Sequence, residues 1–237
     1  MPQPPHFAAG QAWRPAARWP ALLVVLALFA VACSQGAPAA SGALPSADHV
    51  HSLRWTDDGS LLLGLHGALW RSDDQGASWQ PAGLEGQDAM SIGGATAGAP
   101  LLVAGHNVLV RSLDGGTTFT PLDPPGLPSL DIHAMAQAPS EPDTVYAFVV
   151  GAGIYRSVDA GTTWQPAAAI GETVPPDTSA LFVSPHDPAI VLLGSGSQGT
   201  FRSDDAAATF TRASEWGTLG LAAGGDPVVA VAATYQG

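Results

Sequence analysis

Arg156-Ser157-Val158-Asp159-Ala160-Gly161-Thr162-Thr163-Trp164 occurs, little changed, four times in this chain. Written as Ser-x-Asp-x-Gly-x-Thr/Ser-aromatic, this copy supplies Ser157, Asp159, Gly161 and Trp164. The others supply Ser72, Asp74, Gly76 and Trp79; Ser112, Asp114, Gly116 and Phe119; and Ser203, Asp205 and Phe210. An arginine precedes each of these serines: Arg71, Arg111 and Arg202. Successive serines lie 40, 45 and 46 residues apart, the period of one four-stranded propeller blade.

The motif reads as a turn between two strands. Short apolar runs precede it (Ala68-Leu69-Trp70, Val108-Leu109-Val110, Gly153-Ile154-Tyr155) and an aromatic residue follows. The aspartate can accept bonds from nearby backbone N–H groups, and glycine tolerates a positive φ where a Cβ would clash. The aromatic is expected to return to the core and pack against the next sheet. The four copies resemble the Asp-box, or BNR, repeats of sialidase-like and other β-propellers. The fourth departs from them, with Ala207 at the glycine position. A left-handed alanine costs on the order of 1 kcal/mol, so this blade is expected to be the loosest.

Working outward, each repeat divides into four short strands. The first takes 50–55, 61–65, 68–71 and 78–81; the second runs from 89 through 101–104 and 108–111 to 119–121. The third takes 132–136, 145–150, 153–156 and 163–165, and the fourth 179–183, 190–193, 200–202 and 209–212. Strand length, alternation and Gly/Pro/Asp punctuation support the division. A fifth unit begins at 218–222 and 228–233. The expected fold is therefore an all-β propeller of four-stranded antiparallel blades, four complete and a fifth incomplete at Gly237. Such a chain closes with about four and a half blades, pairs its open edge with another chain, or is truncated; an open edge strand is an aggregation template.

Residues 1–33 carry Arg14 and Arg18, no acid, and an apolar run from Ala21 to Ala32. That is an export signal too short to span a bilayer comfortably. Its end, Phe29-Ala30-Val31-Ala32-Cys33, resembles a bacterial lipobox, and Cys33 is the chain's single cysteine. The expectation is lipidation at Cys33 and no intramolecular disulfide. Residues 34–48, rich in Ala, Ser, Gly and Pro, read as a flexible tether, leaving 49–237 as the propeller. By resemblance to known lipoproteins, Ser34 after the cysteine implies outer-membrane sorting where the envelope has two membranes.

Beyond the leader, six arginines and no lysine face 20 acids. This balance excludes nucleic acid, and leaves the lipid anchor as the only membrane contact.

The histidines carry the only candidate chemistry. His51 and His133 fall at the starts of first strands, and His66 and His106 each lie six residues before a motif serine, in equivalent turns between second and third strands. All four belong at one end of the propeller, with His49, Asp48, Asp88 and Asp131 beside them in sequence. Imidazoles with a carboxylate suit a transition metal such as Zn or Cu; a rim of hydrogen-bonding turn residues is the alternative. One ion held by His51, His66, His106 and His133 with Asp131 or Asp48 is the specific expectation.

The sialidase resemblance implies an arginine triad, a Tyr/Glu nucleophile pair and an aspartate acid. Four of the six remaining arginines belong to the repeat, leaving Arg54 and Arg212. Tyr146 and Tyr155 lie in strand patterns, and Glu85, Glu141, Glu172 and Glu215 are scattered through loops without a pair that would flank a glycosidic bond. No catalytic residue is assigned. A closer resemblance, over 49 to about 165, is to exported bacterial BNR-repeat or glycosylhydrolase-like proteins that open on a His-x-His strand, as His49-Val50-His51-Ser52 does. The fold is also similar to photosystem II stability/assembly factor-like and sortilin-type propellers, which bind proteins. The reading is a lipid-anchored, extracytoplasmic module that binds a protein or glycan at the cell surface; a carbohydrate-active hydrolase and a metal-binding propeller are the alternatives.

Overall fold

The computed structural model describes residues 49–94, 98–224 and 229–233, with side chains described up to residue 222. Residues 1–48, with Cys33 and Asp48 among them, lie outside the described residues. Eighteen strands and no helix are found among the described residues. They form four antiparallel four-stranded sheets, the blades of a β-propeller, followed by a two-stranded sheet.

Blade 1 comprises β1 (Val50–Trp55), β2 (Leu61–Leu65), β3 (Ala68–Ser72) and β4 (Gln80–Gly83). Blade 2 comprises β5 (Ser91–Ile92), β6 (Leu101–Gly105), β7 (Val108–Ser112) and β8 (Thr120–Pro121). Blade 3 comprises β9 (Ile132–Gln137), β10 (Val145–Val149), β11 (Gly153–Ser157) and β12 (Gln165–Ala169). Blade 4 comprises β13 (Thr178–Val183), β14 (Val191–Ser195), β15 (Gly199–Ser203) and β16 (Thr211–Ser214). The last pair is β17 (Gly220–Gly224) and β18 (Val229–Ala233). The first strands of successive units touch in series, β1 to β5, β5 to β9, β9 to β13 and β13 to β17.

The second strands are largely apolar on both faces, and those of blades 2 and 3 lie between two neighbouring sheets. Side chains alternate across a strand, so neighbours serve different interfaces. In β10, Tyr146 and Phe148 join a cluster with Val183, Val191, Leu193, Phe201 and Phe210 of blade 4. Val145, Ala147 and Val149 join one with Leu102, Ala104 and Leu109 of blade 2. In β6 the partition repeats, with Leu101 and Val103 packed with Leu62 and Leu69 of blade 1. Phe148 is fully buried, and a side chain of that size contributes about 1.5–3 kcal/mol when removed from water.

The four Ser-x-Asp turns share one hydrogen-bond pattern. The serine hydroxyl donates to the aspartate Oδ1 at 2.7–2.8 Å. It also accepts the N–H of the residue at the glycine position at 2.8–2.9 Å. The aspartate then accepts the N–H and the hydroxyl of Ser78, Thr118, Thr163 or Thr209, the hydroxyl at 2.6 Å in every case.

Two expectations need correction. Trp79, Phe119, Trp164 and Phe210 lie just before the fourth strands, which begin one residue after each aromatic; these residues complete the turn instead of entering the ladder. From blade 2 onward the sheet they pack on is the preceding one: Phe119 packs on the cluster with blade 1, Trp164 of blade 3 joins the cluster with blade 2, and Phe210 of blade 4 the cluster with blade 3; Trp79 packs within blade 1. Ala207 takes the left-handed conformation, at φ 64°, and blade 4 has all four strands and the full set of turn bonds. Its methyl is completely buried in the interblade cluster. Burying one carbon recovers about 0.8 kcal/mol, which offsets most of the backbone cost.

Candidate functional site

At the end opposite the Ser-x-Asp turns, the chain enters each first strand through a polar residue: His49, Asp88, Asp131 and Asp177 lead into β1, β5, β9 and β13. The turns joining second to third strands, which carry His66-Gly67, His106-Asn107 and Gly196-Ser197-Gln198, lie against these residues. Asp88 Oδ1 meets His66 Nδ1 at 2.8 Å and accepts the Gly67 N–H at 3.0 Å. Asp88 Oδ2 lies 3.6 Å from His106 Nε2. The other nitrogen of His106, Nδ1, is 2.8 Å from Asp131 Oδ1, and His133 Nε2 is 3.5 Å from the same oxygen. Blade 4 repeats the frame without histidine: Asp177 accepts the Ser195 hydroxyl at 2.7 Å and the Ser197 N–H at 2.9 Å.

The fold thus gathers every histidine singled out in the sequence, but into two groups instead of one. His51, His66 and Asp88 form the first, and His106, Asp131 and His133 the second; donor atoms within each group lie within 4.8 Å of one another. A single ion sharing all four imidazoles is therefore replaced by two separate donor sets. His49 stands beside the first, its ring centroid 6.3 Å from those of His51 and His66. In the second, His106 and His133 meet edge to face at 4.7 Å.

Asp88, which the sequence placed beside the histidines but outside the expected ligand set, connects the two groups. It is 9 % exposed, and its carboxylate faces both. Its signal was positional: Asp88, Asp131 and Asp177 occupy matching places before consecutive first strands. Burial pushes the His51 and His133 imidazoles below their ordinary value, and neighbouring histidines push the same way. The Nε2 atoms of both are shielded from solvent and have no hydrogen-bond partner.

His51 and His133 also line a cavity of about 280 Å³ walled by the first strands of all four blades and by Leu219, Gly220 and Leu221. Its polar lining comes from Arg54, Ser91, Gln137 and Ser179 and its apolar lining from Met90, Ile92 and Leu181, among others. Among the described residues, no carboxylate lines it. The arginines do not converge. Arg54 lines the cavity, Arg71 and Arg202 pair with Asp73 and Asp204 beside their turns, and Arg212 lies over the Phe201 ring on the outer side of blade 4. Tyr146 is buried, its hydroxyl donating to the Pro188 carbonyl.

The chain matches no protein-family model and no curated protein. Its fold is similar to those of several solved propellers. A GH74 xyloglucanase from Xanthomonas campestris superposes with a TM-score of 0.59 at 18% identity, covering 78% of this chain and 34% of that one. A GH74 enzyme from Niastella koreensis gives 0.59 at 16%, covering 77% and 32%. YCF48, solved bound to D1 peptide, gives 0.51 at 16%, covering 74% and 58%. The chain is a β-propeller. It spans about a third of the length of the two GH74 enzymes, and at these identities the likeness is one of fold alone.

Proposed function

We propose that this chain is a non-catalytic binding propeller of the Asp-box kind, exported and held at a bacterial cell envelope by a lipid on Cys33. Its ligand is a segment of a partner protein or a glycan at the cell surface, taken into the axial cavity. The observation that carries this reading is the cavity lining. It mixes donors and acceptors from Arg54, Ser91, Gln137 and Ser179 with apolar Met90, Ile92 and Leu181, as suits recognition. Asp88 and Asp131, the carboxylates beside the lining histidines, are engaged by imidazoles instead of facing each other across an open cleft, as glycoside hydrolysis requires. One propeller of similar fold was solved with a peptide bound, in keeping with a protein partner.

The test sets binding against hydrolysis. Titration calorimetry of the full chain against cell-surface glycans and peptides from envelope proteins should find a ligand whose binding is lost in Ser179→Trp. Ser179 is exposed on β13 and lines the cavity, so the indole fills it. Release of reducing sugar from a polysaccharide panel that includes xyloglucan would overturn the non-catalytic assignment. Binding that survives the filled cavity would overturn the location.

A further inference from the structure

We infer that the histidine end of the propeller holds two divalent transition-metal ions, one in His51, His66 and Asp88 and one in His106, Asp131 and His133, coupled through the Asp88 carboxylate. The inference is independent of what enters the axial cavity.

The donors are of one chemical kind. Imidazole nitrogen and carboxylate oxygen, without thiolate, suit Zn²⁺, Cu²⁺ or Ni²⁺. Zinc binds such atoms at about 2.0–2.2 Å in a tetrahedron, which puts neighbouring donors about 3.3 Å apart. The spacings are close to this: 2.8 Å between His66 Nδ1 and Asp88 Oδ1, and 3.5 Å between His133 Nε2 and Asp131 Oδ1. Donors within each set stay within 4.8 Å, so the shift needed to close on an ion is about an ångström.

A rim of turn residues would satisfy its own hydrogen bonds, because shielded polar atoms in native proteins are nearly always paired. Here one nitrogen in each set is not. His51 Nε2 and His133 Nε2 are cut off from solvent without a partner, and an ion supplies what each lacks. Three protein donors per ion leave a fourth position for water or for an incoming ligand.

Asp88 joins the two sets through its two oxygens. Oδ1 belongs to the first set, while Oδ2 faces the Nε2 of His106, whose Nδ1 belongs to the second. A ligand histidine whose other nitrogen donates to a carboxylate is oriented by it, and loss of such a partner costs about 10–100-fold in metal affinity; the 3.6 Å between His106 Nε2 and Asp88 Oδ2 is a charge contact that becomes such a bond once ion binding shortens it to about 3 Å. Asp88 is thus a ligand at one site and a positioning residue at the other.

The experiment uses the untagged full chain, stripped with chelator and dialysed against Zn²⁺, with bound metal counted by mass spectrometry. Two zinc ions per chain are expected, one each in His51→Gln and His133→Gln, and two in His186→Gln, a control in an exposed turn. In Asp88→Asn, competition with a chromophoric chelator should show the second ion weakened by about 10–100-fold. Melting in chelator checks that each variant folds. Should one fail, Co²⁺ titration of the parent chain reads the same count from two successive changes in visible absorption. Zinc-free protein overturns the inference. A parent chain that binds one ion, lost in both His51→Gln and His133→Gln, overturns the pair, and unchanged affinity for the second ion in Asp88→Asn overturns the coupling.

Discussion

Alanine substituted at the turn glycines should destabilise in a fixed order, set by what each new methyl meets. All three glycines are left-handed, with φ of 91° at Gly76, 88° at Gly116 and 79° at Gly161, so each substitution carries about 1 kcal/mol of backbone strain. At Gly76 a Cβ meets nothing closer than 3.6 Å, and strain is the whole cost. At Gly161 it lies 3.1 Å from Leu102 Cδ1, and at Gly116 2.8 Å from Leu62 Cδ1. Both leucines are fully buried, and forcing a methyl into a packed core adds about 1–3 kcal/mol. The expected losses are about 1 kcal/mol for Gly76→Ala, about 2 for Gly161→Ala and about 3 for Gly116→Ala. In a domain of this size each kcal/mol lowers Tm by about 2–4 °C. Ala207→Gly should bring no gain, because the strain it relieves is offset by the buried methyl and by a freer unfolded chain. Urea denaturation of the four variants measures the series. Gly76→Ala costing as much as Gly116→Ala, or Ala207→Gly stabilising by more than about 1 kcal/mol, would refute the reasoning.

Three further outcomes follow from the same geometry. Ser157→Ala removes a buried hydroxyl that donates to Asp159 and accepts the Gly161 N–H; stranding these groups should cost about 2 kcal/mol in urea denaturation. Gly105→Ala drives a Cβ into the Asp88 carbonyl, which displaces Asp88; zinc competition should show both ions weakened, while the distant Gly59→Ala, whose Cβ has open space, leaves them unchanged. The turn aspartates set the acid limit: the Thr209 hydroxyl, then its N–H and Ser203, hold Asp205 down to about 2 against an ordinary 3.8. Between those values the unfolded chain binds more protons, so stability present above about pH 4 is lost as pH falls toward 2. Acid titration by circular dichroism should give a shallower loss over that window in Asp205→Asn.

The repeat was legible because its message is local. Serine, aspartate and glycine bond one another within five residues, and the apolar runs before them keep a period of two, so strands and blade count could be read directly. The partner of the aromatic was not, since Trp164 and the blade 2 residues it meets are joined only by the curvature of the propeller. The mouth shows the same boundary. Histidines six residues before two of the motif serines, and two more at the starts of first strands, placed four imidazoles at one end. Which of them meet depends on how a turn of one blade abuts the entry to the next: Asp88 lies 22 residues from His66 and 18 from His106, and nothing in that spacing announces a shared carboxylate. The division into two groups is a fact of circumference, because blades 1 and 3 contribute the inward histidines His51 and His133 with blade 2 between them.

Blade 4 builds the entry-residue frame with Asp177, Ser195 and Ser197 where blades 1 to 3 use aspartate and histidine. The backbone that presents these side chains is common to all four sectors, while the turns that hold the blades together sit at the far end. Recognition and construction therefore occupy separate ends of the same repeat. A lineage, or an engineer, can rewrite the chemistry of this end by exchanging two or three side chains there, with little consequence for the turns at the far end.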